Sequence, residues 1–130
     1  MMLEKANIHL LVVDDEQGMR DMLSLELSGQ GYQVATARNG LEALECVRGK
    51  KIDLVITDFK MPEMDGMELL ENIKGVDASL EVIMATGHGT IEAAVAAMKH
   101  GAYDFILKPF NMENLAKVIE EALEPEPKRG

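Results

Sequence analysis

The sequence predicts an α/β domain in which five parallel strands form one sheet with helices on both faces. Three observations lead there. Short apolar runs recur five times with little alternation, a helical apolar spacing follows each run, and polar residues stand where the runs end. Uninterrupted runs suit strands covered on both faces, and right-handed βα crossovers bury each successive unit. Among doubly wound arrangements, strand order 2-1-3-4-5 would place the exits of the first and third strands side by side at a topological switch.

The first strand is Ile8 to Val13, ended at once by Asp14, Asp15 and Glu16. Met19, Met22, Leu23 and Leu27 then share one helical face until Gly29 and Gly31 stop the pattern. Tyr32 to Ala37 is the second strand, followed by Asn39-Gly40 and a helix supported by Leu41, Leu44 and Val47. The central strand is Asp53 to Thr57, with Asp58 at its exit.

The next segment, Phe59 to Gly66, contains Pro62, which fixes one backbone angle, and Gly66, which can enter a left-handed turn without a Cβ clash. It is expected to be a shaped loop. Met67, Leu70 and Ile73 support a third helix, broadened by Leu69. Leu80 to Ala85 is the fourth strand, and Thr86-Gly87-His88-Gly89 a compact loop. Thr90 is positioned to cap a fourth helix whose Ile91, Ala94, Val95 and Met98 repeat at helical spacing, ending near Lys99-His100-Gly101. Tyr103 to Leu107 is the fifth strand, and Asn111 caps a last helix bearing Leu115, Val118, Ile119 and Ala122.

At 130 residues the chain suits a single core. Residues 1–7 read as an N-terminal extension, 8–124 as the domain, and 125–130, with two prolines and no apolar anchor, as a flexible tail or truncated linker. No segment approaches the roughly 20 apolar residues that cross a bilayer, and no secretory signal opens the chain. With Cys46 as the single cysteine, no intrachain disulfide can form, which suits the cytoplasm; Cys46 reads as a small core filler before a nucleophile. The formal charge of -10 weighs against direct nucleic-acid binding by this stretch, because phosphates would be repelled.

Asp14 and Asp15 follow one strand and Asp58 another, and ligands bind across such strand exits in parallel α/β sheets. Three clustered carboxylates repel one another, and a hard divalent cation offsets that repulsion. Magnesium fits better than zinc, since no cysteine or multi-histidine set accompanies the acids. A solvated acidic loop with ordinary strand-end caps is the competing reading. Thr86, leaving the fourth strand, offers a hydroxyl to a phosphoryl oxygen, and Lys108, leaving the fifth, offers a cation.

The motifs Leu11-Val12-Val13-Asp14-Asp15-Glu16, Asp58-Phe59-Lys60-Met61-Pro62-Glu63-Met64-Asp65-Gly66, Thr86-Gly87-His88 and Lys108-Pro109-Phe110 occur in an order that resembles the receiver domains of bacterial two-component response regulators, with a CheY-like, flavodoxin-like (βα)5 fold. The resemblance covers Ile8 to Leu123. Thr86-Gly87-His88-Gly89 and Gly101-Ala102-Tyr103-Asp104-Phe105 resemble receivers attached to sigma-54-dependent transcription activators.

The resemblance implies that Asp58 is the phosphoacceptor, that Asp15 ligates Mg2+ directly with Mn2+ able to substitute, that Asp14 acts through water, and that the Lys60 backbone carbonyl supplies a further ligand. It implies phosphoryl contacts from Thr86 and Lys108, a dual packing and switching role at Phe105, for which packing alone is the competing account, and a family junction at Lys108-Pro109 that often holds a cis peptide. Tyr103 and Phe110 are assigned to packing. Lys60 and His88 could tune dephosphorylation, although a polar surface role competes, and Gly87 is expected to leave space near Thr86.

The implied partner is a sensor histidine kinase or histidine phosphotransfer protein. The implied output is a homodimer through the fourth helix and fifth strand, or relief of inhibition on an output module that controls transcription. Such a domain modifies itself and later loses the phosphoryl group to water, without turning over an external substrate. A stand-alone phosphorelay receiver is the nearest alternative, and a small metal-dependent phosphatase the alternative of a different class. The sequence contains no Gly-x-Gly-x-x-Gly or Walker-type phosphate loop, and acids stand where a flavin phosphate would be cradled.

Overall fold

The computed structural model describes residues 4–87 and 90–124. A single 3-10 turn, Lys5–Asn7, precedes five βα units: β1 (His9–Val13), α1 (Gln17–Gly29), β2 (Gln33–Ala37), α2 (Gly40–Gly49), β3 (Leu54–Thr57), α3 (Gly66–Val76), β4 (Glu81–Thr86), α4 (Ile91–Lys99), β5 (Asp104–Leu107) and α5 (Met112–Leu123). All five strands are parallel, in the order β2-β1-β3-β4-β5. The expected fold and strand order are those observed.

Alternation along each strand divides the core between two faces. Leu11, Val13, Val55, Val82 and Met84 pack with Ala43 and Leu44 of α2 and Leu69, Leu70 and Ile73 of α3. Leu10, Val12, Leu54, Ile56, Ile83 and Ala85 pack on the other side with Leu23 and Leu27 of α1 and Leu115 and Ile119 of α5. Burying residues on both faces is why these strands read as continuous apolar runs.

Local signals place the helices. Asn39, Thr90 and Asn111 each accept a backbone N–H from the first turn, of Glu42, Ala93 and Asn114 respectively. Asp65 and Glu68 form a reciprocal capping box at α3, for which Asp-x-x-Glu was the available sequence signal.

Several side chains lie elsewhere than the periodicity suggests. Met22 and Leu41 are exposed; in α2 Leu44 is buried as expected, and Ala43 takes the inward place expected of Leu41. The clearest departure is α4, where Ile91 is 84% exposed and Val95 and Met98 are also exposed, while Ala97 is fully buried. Alanines allow the helix to approach closely on its small-residue side, so the larger residues face outward.

The loop after β3 departs as well. Its left-handed residue is Glu63, with φ 71°, not Gly66. Glycine is required at 66 for proximity: a Cβ there would press on the Asp58 carbonyl oxygen and come within 2.9 Å of the Phe59 Cα. The Gly66 N–H donates to the Phe59 carbonyl at 2.8 Å, closing this tight return.

Candidate functional site

The register of β1 against β3 pairs Val13 with Thr57, so the next residues of both strands, Asp14 and Asp58, leave the sheet together. The Asp58 N–H still donates to Val13 O and that of Asp14 to Ala37 O, holding both backbones on the ladder while their side chains point past its end. Asp14 and Asp58 are buried and Asp15 is exposed; one carboxylate oxygen from each lies within 4.8 Å of the others. Oxygen donors so grouped suit a hard divalent cation.

Lys108 completes the cluster from the end of β5. Its backbone N–H donates to Thr86 O at 2.9 Å, and its Nζ lies 2.7 Å from Asp14 Oδ2 and 3.5 Å from Asp58 Oδ2. Burial pulls the pKa of this ammonium down, but the hydrogen bond and charge of Asp14, with those of Asp58, outweigh burial and hold it above the ordinary lysine value. The Lys108-Pro109 peptide is cis, the form often found at the matching family junction.

Each Asp14 oxygen accepts one hydrogen bond from the protein. Its Oδ1 accepts the Glu16 N–H at 2.9 Å, its Oδ2 accepts Lys108, and its carbonyl accepts Arg20 Nη1 at 2.7 Å. Asp15 forms no hydrogen bond or ion pair among the described residues, which leaves its carboxylate available to a ligand. Asp58 Oδ1 faces the Lys60 N–H at 3.4 Å.

An open cleft of about 570 Å³ lies over these groups, lined by Asp15, Glu16, Asp58, Lys60, Met61, Pro62, Gly87 and Lys108. Thr86 ends β4 with its side chain buried. The space expected of Gly87 is not tight, since a Cβ there would come no closer than 3.9 Å to Lys108 Cβ. His88 lies outside the described residues. Phe105 is half-buried on β5, its ring edge-on to Phe59 with centroids 6.2 Å apart, one residue beyond Asp58. Tyr103 and Phe110 pack against the α1/α5 side of the core.

Arg20 escaped the sequence reading. Its position one helical turn beyond Glu16 was visible, but nothing in the pattern showed that its guanidinium would turn back onto the first strand's exit.

Residues 10–120 match the model of the response regulator receiver domain. The chain is 45% identical over 116 residues to the transcriptional regulatory protein GlrR of Escherichia coli K12, covering 89% of this chain and 26% of that protein. It thus spans about a quarter of the length of the curated relatives it matches. Among solved structures, a CheY-like receiver domain protein from Methanospirillum hungatei superposes with TM-score 0.86 at 33% identity, covering 89% of this chain and 93% of that one. The beryllofluoride-activated NtrC4 receiver domain dimer superposes with TM-score 0.84 at 36% identity, covering 88% and 95%. Sequence, strand order and the acidic cluster at the strand exits agree: the chain belongs to the response regulator receiver domain family.

Proposed function

We propose that Asp58 accepts a phosphoryl group from the phosphohistidine of a sensor histidine kinase or histidine phosphotransfer protein. The observation that carries this reading is the position of Asp58: at a strand exit, lining an open cleft, with two further carboxylates and one lysine converging on it. An Asp58 carboxylate oxygen attacks phosphorus, the phosphorus–nitrogen bond breaks, and the imidazole leaves with its electron pair and takes up a proton. Lys108 and the Thr86 hydroxyl hold phosphoryl oxygens.

Asp15, Asp58 and the Lys60 carbonyl would hold Mg2+, or Mn2+ in its place, with Asp14 acting through water. Such an ion, when bound, screens the charge between carboxylate and phosphate. The protein contacts on both Asp14 carboxylate oxygens and the lack of any on the Asp15 carboxylate among the described residues support this division of roles. Lys60, exposed at the cleft, tunes later attack by water on the acyl phosphate, and we assign His88 the same role by its place in the motif.

The output we infer is a change at the α4 and β5 surface, where Ile91, Val95, Met98 and Leu107 are exposed beside a small pocket lined by Thr90, Ile91, Ala94, Phe105 and Leu107. Repacking of Phe105 on phosphorylation alters this apolar face and favours a homodimer or release of an attached output module. The relatives' names and their greater length support transcriptional control, of the sigma-54-dependent kind that the sequence resembles, over a stand-alone relay. We take 8–124 as the receiver unit, supported by the family match over 10–120, 125–130 as a tail or truncated linker, and the cytoplasm as its setting, supported by the lone Cys46. Among the described residues no helix is long and apolar enough to cross a membrane.

The test is to supply Mg2+ and a small phosphodonor, then locate the adduct by intact mass and peptide mapping. The wild-type chain is expected to gain one phosphoryl group on Asp58, and folded D58N none. An equal yield on D58N would reject the assignment, and unchanged assembly after complete phosphorylation would reject the dimer.

A further inference from the structure

We propose that Arg20 is a positioning residue for the cation site, fixing the backbone from which Asp15 reaches it; the inference rests on the cation reading given above. Arg20 stands near the start of α1, half-buried, and its Nη1 donates to the Asp14 carbonyl at 2.7 Å. That is a short, charge-assisted hydrogen bond. Although acids outnumber bases in this chain by 23 to 13, Arg20 forms no ion pair among the described residues. Its guanidinium is committed to a neutral backbone oxygen.

That oxygen belongs to the peptide joining Asp14 to Asp15. Because the peptide unit is planar, holding its carbonyl sets the plane from which the Asp15 backbone departs. The Asp14 side chain is already fixed by the Glu16 N–H and Lys108, but the carboxylate of Asp15 has no hydrogen-bond partner among the described residues. Its aim toward Asp58 therefore depends on the backbone, and Arg20 is the described donor that holds this carbonyl. Groups that orient metal ligands in this way commonly alter metal affinity by about 10–100-fold when removed.

The sign of the effect separates positioning from charge. Removing a positive charge beside three carboxylates would by itself strengthen cation binding, whereas releasing the Asp14-Asp15 peptide weakens it. The test is calorimetric titration of the purified chain with Mn2+ and with Mg2+, comparing wild type, R20Q, R20K and, as a remote control, R48Q in the exposed last turn of α2. We expect R20Q to bind about tenfold more weakly, R20K to fall between R20Q and wild type because its ammonium reaches further toward the Asp14 carbonyl than the shorter glutamine amide, and R48Q to match wild type.

Affinity of R20Q equal to or tighter than wild type would overturn the inference, as would an R20K no tighter than R20Q. If R20Q does not fold, R20M, which retains much of the apolar stem, takes its place under the same criterion. A wild-type chain that binds neither ion removes the cation reading and this inference together. Wild-type binding matched by R20Q removes this inference alone.

Discussion

The Lys108 ammonium sits 2.7 Å from Asp14 and 3.5 Å from Asp58, so the lysine at the end of β5 is bound first to Asp14 and only then to Asp58, the proposed acceptor. Asp14 holds Lys108 within reach without using Asp58's full capacity. A phosphoryl group on Asp58 can then draw the ammonium over by a short movement.

This pair gives a stability that depends on pH. The folded pKa of Lys108 lies above its ordinary value, so its contribution is fully present below about pH 10.5 and is lost as pH rises through the folded value. K108M should lose about 1–3 kcal/mol at neutral pH, less than a fully buried pair because the cleft admits water. Urea unfolding of both proteins across the alkaline range checks this, and the gap between them should narrow only above about pH 10.5.

Asp15 should couple stability to divalent cation. A ligand that binds only the folded state at about one hundred times its Kd adds about 2.7 kcal/mol, and wild type should show a rise in Tm on adding Mg2+. D15N should lose most of that rise while being no less stable than wild type in chelator, since one of three repelling charges is gone. Paired thermal melts with Mg2+ and with chelator measure both effects.

G66A should be destabilised by about 1–3 kcal/mol, as expected for added bulk in a packed site. The new methyl meets the Asp58 carbonyl and the Phe59 backbone, which cannot rotate away as a side-chain tip can. Denaturant unfolding gives the loss, and slower phosphorylation of the folded fraction would show that the Asp58 backbone has moved.

Tyr32 is 3% exposed, and its hydroxyl has no hydrogen-bond partner among the described residues; burial, then the charge of Glu120, raises its pKa. Y32F removes the unsatisfied oxygen and keeps the ring, so it should be neutral or stabilising by up to about 1 kcal/mol. A clear loss of stability on unfolding would show that the hydroxyl is satisfied in solution.

The strands were legible because burial on both faces writes an apolar residue at nearly every position, and the acids at 14, 15 and 58 were legible because they interrupt those runs abruptly. Helix faces were less so. In α4, Ile91, Val95 and Met98 keep core-like spacing yet point outward, since hydropathy alone does not distinguish a buried stripe from one left open, and the alanines opposite were too small to announce themselves. Glu63 in a left-handed conformation and Arg20 turning back on Asp14 were invisible for another reason: both arise from the path of a loop, which periodicity does not record.

The carboxylate–lysine cluster draws its charged groups from positions 14, 15, 58 and 108, brought together only where β1, β3 and β5 end. A polypeptide still being made therefore has Asp58 long before it has the lysine that completes the cluster. The assembled charge pattern comes into being with the docking of the last strand, so the proposed acceptor gains its cationic neighbour together with completion of the sheet.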